Sequence, residues 1–120
     1  EHGDKDKRDY FFIYSFSLSS MQYLKKPIFK IKRADVHKNF MPSGIAIHPN
    51  GSIYILSSFS KTLLVISAKG VIMNNIQLNG YIFHQPEGIA FNEKGDLFIS
   101  NEKKDTTATI LKFSKLNEKD

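Results

Sequence analysis

Shifted by 44 residues, the chain lies on itself: MPSGIAIHPNGSIYILSS, Met41 to Ser58, aligns with QPEGIAFNEKGDLFISNE, Gln85 to Glu102. Pro42 meets Pro86, Gly44 meets Gly88, Gly51 meets Gly95 and Ile55 meets Ile99, while Ile45-Ala46 recurs as Ile89-Ala90. No other feature restricts the fold as much, because each copy must build the same local structure and bury its apolar face against a neighbour. Each copy opens with a short apolar segment, GIAIH or GIAFN, followed by a tight turn, PNG or EKG. The turn ends on a Gly that takes positive φ without steric cost, so the unit begins as a β-hairpin.

The returning strand is Ser52 to Ser57 in one copy and Asp96 to Asn101 in the other. A polar connector, SFSK or EKKDTTA, leads to a third apolar strand, TLLVIS or TILKFS. In the complete unit a turn at Ala68-Lys69-Gly70 leads to a fourth strand, Val71 to Leu78. Four antiparallel strands in a period of this length make one blade of a β-propeller. Upstream, Tyr10 to Leu18 and Ile28 to Lys32 read as the third and fourth strands of a preceding blade, joined by a loop containing Pro27. The expectation is an all-β chain of nine strands: part of a blade over 10–34, a full blade over 42–80 and part of a blade over 86–116. That makes a C-terminal fragment of about two and a half four-stranded blades, with Asp120 a native end and the ring completed by missing residues, another chain or self-association. A β-sandwich would also give short strands and regular turns, but not this repeat. The period of 3.6 that marks a helix is sustained nowhere over a full window.

Composition narrows function by exclusion. With no Cys there is neither a disulfide framework nor a thiolate metal site. No run approaches the roughly 18 apolar residues that span a bilayer, and the first residues, EHGDKDKRD, are charged. The net charge of +5 is spread singly or in pairs, with Lys25, Lys26, Lys30, Lys32 and Arg33 the nearest thing to a basic patch. Such scatter argues for solubility and against a nucleic-acid partner.

Blade topology gathers particular loops without further information. The innermost strand starts at one face, and the second strand returns to it. Met41-Pro42-Ser43, Ser57 to Ser60, His84 to Glu87 and Asn101 to Lys103 therefore share a face, which rings of this kind use for ligands. The candidate ligand-binding residues are Ser43, Ser58, His84, Glu87, Asn101 and Glu102. Glu87 stands directly before an inner strand, where Ser43 stands in the other copy. A carboxylate there suits calcium or another divalent cation, with Asn101 or Glu102 and backbone carbonyls completing the oxygen shell. The competing role for Glu87 is to accept hydrogen bonds from nearby backbone amides. For Glu102 it is solvation beside Lys103 and Lys104, for Ser58 capping a strand end, and for His84 a structural or solvated loop position. His2, His37 and His48 show no metal-ligand spacing, and no catalytic constellation stands out.

The stretch from Pro42 to Glu102, above all QPEGIAFNEKGDLFISNE, resembles the SdiA-regulated family of propeller proteins. Its looser Gly-Ile-Ala pattern is shared with NHL-repeat, gluconolactonase-like and strictosidine-synthase-like propellers. The resemblance implies a six-bladed ring and a periplasmic, secreted or membrane-anchored location outside the cytoplasm. In gluconolactonase-like propellers a Glu in a similar Glu-Gly setting binds metal, which adds support at Glu87. The leading expectation is a non-catalytic propeller that binds a small ligand or a protein, with calcium as a possible cofactor. A metal-dependent lactonase or esterase and an NHL-type nucleic-acid binder are the alternatives.

Overall fold

The two copies of the repeat fold as antiparallel meanders in the computed structural model, which describes residues 8–103, 105 and 107–114. His2, Lys104 and residues 115–120 lie outside the described residues, and with them the expected blade end at 116 and native end at Asp120. The chain divides into two units, Glu1–Lys38 and Asn39–Asp120.

In the first unit β1 (Tyr10–Ile13) pairs antiparallel with β4 (Phe29–Lys32), Tyr10 opposite Lys32 and Ile13 opposite Phe29. Phe11 and Ile31 sit across from each other on the buried face. The strand expected over Tyr10 to Leu18 is interrupted: β2 (Phe16–Ser17) pairs instead with β3 (Gln22–Tyr23), inside the expected loop. Two features cause this. Ser17 Oγ accepts the Ser20 N–H at 3.3 Å and Met21 takes a φ of 56°, which closes a tight turn. Pro27 has no N–H to offer, so the ladder breaks before β4. Backbone bonds from Leu24 to Ser15 and Ile28 to Ile13 carry the pairing across the gap. The described strands thus number eleven, not nine.

In the second unit β5 (Gly44–Ile47), β6 (Ile53–Ser57), β7 (Thr62–Ile66) and β8 (Ile72–Gln77) form one sheet in chain order. A second sheet holds β9 (Pro86–Phe91), β10 (Leu97–Asn101) and β11 (Thr109–Phe113), with a register shift between Ser100 and Asn101. Gly51 and Gly95, equivalent in the repeat, have φ of 96° and 86°, the left-handed values their hairpin turns require. Every residue of β6 and β7 is buried, so both faces of the first sheet are covered along its two middle strands, while β8 at its edge is exposed. Tyr54, Leu56, Leu63 and Val65 meet Leu97 and Ile99 in the core between the sheets, with Ile89, Phe91, Leu111 and Phe113 at its margin. Apolar burial of this kind is the main force holding the sheets together. Glycine sets the approach of the inner strands: a Cβ on Gly44 would lie 3.0 Å from the Glu87 carbonyl oxygen and 3.2 Å from Ile89 Cγ2.

His48 anchors the opposite end. Its ring stacks on Tyr54 at 6.0 Å and meets Phe91 edge-on at 5.0 Å, while Nδ1 accepts the Asn50 N–H. Among the described residues no helix is long and apolar enough to cross a membrane.

Candidate functional site

Pro42 and Pro86 cannot donate to a ladder, so the N–H just before each proline, that of Met41 or Gln85, is left to find a partner outside it. Both are met in the same way. Met41 N–H donates to Ser57 Oγ at 3.1 Å, and Gln85 N–H donates to Asn101 Oδ1 at 3.4 Å. Ser57 and Asn101 are themselves related by the repeat, each at the end of a second strand. This side-chain latch was legible as two aligned short polar residues facing two X-Pro pairs, although nothing in the spacing says which backbone donor is left unpaired.

The latch consumes much of the polarity that marked this end of the sheets as a ligand face. Asn101 is 2% exposed, and its Nδ2 donates to the Ile82 carbonyl at 3.3 Å and to Thr109 Oγ1 at 3.2 Å. Oδ1 and Nδ2 are therefore both engaged within the fold. Buried Ser57 Oγ also accepts from Ser60 Oγ at 2.9 Å, and Gln77 Nε2 donates to the Ser60 and Lys61 carbonyls. Ser58 contributes backbone: its N–H reaches Ser43 Oγ at 3.0 Å, and its carbonyl accepts from Lys61 Nζ at 3.3 Å. Ser43 Oγ donates in turn to the Leu56 carbonyl at 3.2 Å. Ser43→Ala is expected to cost about 0.5–1.5 kcal/mol, the net worth of a typical hydrogen bond, read as a lowered urea midpoint.

Glu87 occupies the repeat position of Ser43 and behaves differently. It is half-buried at the start of β9, and its carboxylate has no hydrogen-bond or ion-pair partner among the described residues. Where one copy of the repeat spends a hydroxyl closing its own hairpin, the other presents an uncommitted anion. Glu102 is exposed; its N–H donates to the Gln85 carbonyl at 2.9 Å, and its Oε2 accepts from Gln85 Nε2 at 3.2 Å. That carboxylate leans on an amide that the latch fixes beside it, while Lys104, one of its expected neighbours, lies outside the described residues. His84 is half-buried in the same loop.

Ser43 and Ser58 thus form one hydrogen-bonded group, and Gln85, Asn101 and Glu102 form another. Gly44 lets the first approach the Glu87 backbone closely. Among the described residues no three His, Cys, Asp or Glu side chains come together as a metal-binding group. An apolar cavity of about 280 Å³ between β7, β8 and β10 is lined by none of the candidate residues.

Residues 13–105 match the model of the SdiA-regulated family. No curated protein matches the chain. A solved structure of a luciferin-regenerating enzyme, a β-propeller, superposes with a TM-score of 0.58 over 93% of this chain at 14% identity. The chain spans 35% of the length of that structure. Identity this low carries the fold alone, and that fold is the propeller read from the repeat.

Proposed function

The chain belongs to the SdiA-regulated family, and from that premise we propose that it is part of a non-catalytic binding propeller whose ligand face is the sheet end carrying Ser43, Ser58, His84, Glu87 and Glu102. Glu87 supports this reading most directly. Its carboxylate is only half-buried and has no partner among the described residues, which leaves it available to a ligand, whereas its repeat equivalent Ser43 is fully employed in the hairpin. The chemistry suits a hard cation such as calcium, with backbone carbonyls and Glu102 as further oxygen donors, or a cationic group on a small ligand or protein. The ring would be completed by residues outside this chain or by another chain, and the whole placed outside the cytoplasm, in keeping with the family resemblance. A metal-dependent hydrolase would need further metal ligands from beyond these blades.

Calorimetric titration with calcium tests the proposal. Saturable binding that is lost in Glu87→Gln is expected, while Glu87→Gln stays within about 0.5 kcal/mol of the parent in stability, because no hydrogen bond is removed. Binding that survives Glu87→Gln, or no binding of calcium or of a partner protein by the parent, would sink it.

A further inference from the structure

The net charge of the chain is concentrated in the first unit. Between Arg8 and Lys38, seven Lys and Arg side chains stand against Asp9 and Asp35, a net +5 equal to that of the whole chain, so the remainder is neutral in sum. These basic residues look scattered in sequence, but β1 and β4 bring the ends of the segment together. Tyr10 lies opposite Lys32, so Arg8 and Asp9, just before β1, meet Arg33, just after β4. Arg33 Nε donates to the Arg8 carbonyl at 2.9 Å and Nη2 donates to the Tyr10 carbonyl at 3.2 Å. Its guanidinium carbon lies 5.9 Å from the centre of the Phe11 ring. The result is a cavity of about 330 Å³ lined by Arg8, Asp9, Lys32, Arg33, Ala34 and Lys38.

We propose that this hollow binds a phosphate group, free or carried as a monoester by a small molecule. Four basic residues and one acidic residue in the lining leave a surplus of positive charge that a dianion would offset. The volume is at the lower end of small-molecule sites. Arg33 is already held by two carbonyls, so ordering it on binding costs little, and a guanidinium with five N–H donors keeps others to offer. The cations converge on one cavity instead of tracking along a surface, which favours a compact anion over a nucleic-acid backbone.

The test is titration of the full chain with inorganic phosphate and with glucose 6-phosphate at low salt, followed by calorimetry. Arg33 is unsuitable for substitution because it ties β1 to the turn after β4, so the variant is Lys32→Gln with Lys38→Gln. Both lysines are exposed and their side chains form no hydrogen bond among the described residues, so the fold should survive, as circular dichroism will verify. Saturable binding by either probe, weakened about tenfold in the double variant, is expected, and the tighter probe shows whether phosphate is taken free or as an ester. Absence of saturation, or equal affinity in parent and variant, overturns the proposal. So does a single-stranded oligonucleotide that binds and is not displaced by either probe, which would make the patch a nucleic-acid surface.

Discussion

Leu56→Ala is expected to destabilise the second unit by about 2–5 kcal/mol, the range for truncating a buried leucine in a core that cannot collapse. Leu56 is 0% exposed and lies in the middle strand pair, opposite Gly44 on β5 and Leu63 on β7. The ladders on both sides hold the β6 backbone in place, so the space left by the side chain stays open. Gly44 offers no side chain to fill it: a Cβ there would be 3.8 Å from Leu56 Cβ and would press on the Glu87 carbonyl. A typical domain has about 5–15 kcal/mol of stability in all, so the loss is a large fraction of the total. Urea unfolding followed by circular dichroism should show a much lower midpoint with an unchanged slope. A loss below about 1 kcal/mol would mean that the core does not close around this side chain.

The same position shows how far the repeat can be trusted. In the second copy Leu56 is replaced by Ser100, which is half-buried beside Gly88 and opposite exposed Ile110. Shared spacing conveyed strand order and turn glycines, because these depend on backbone requirements that both copies must meet. It did not convey which face of each sheet is covered, since that depends on neighbours beyond the repeat itself. The β2–β3 hairpin escaped for a related reason: its turn is made by serine hydroxyls and Met21, without the Gly that marks the β5–β6, β7–β8 and β9–β10 hairpins. The basic hollow escaped because its members, Arg8 and Arg33, are separated in sequence and joined only by a strand pair. At the candidate face, sequence placed the residues at one end of their sheets but could not separate spent polar groups from available ones. Asn101 was expected to help Glu87 hold a ligand, yet Asn101 has hydrogen bonds from both ends of its amide, and the Glu87 carboxylate has none among the described residues.

That distinction predicts opposite behaviour on substitution. Asn101→Ala is expected to cost about 1–3 kcal/mol, because it strips a partner from the Gln85 N–H, the Ile82 carbonyl and the Thr109 hydroxyl at a position only 2% exposed. The first copy of the repeat suggests the partial remedy. Serine at the equivalent position accepts the Met41 N–H, so Asn101→Ser should recover the latch to Gln85 while leaving the Ile82 and Thr109 contacts broken. Its stability should therefore fall between parent and Asn101→Ala in the same urea series. Glu87→Gln, by contrast, should leave the midpoint nearly unmoved and act on ligand binding alone. If Asn101→Ala proved as stable as the parent yet lost binding, Asn101 would have to be reassigned from the latch to the ligand. A stable fold with that amide removed could not be depending on it to hold the loop before β9.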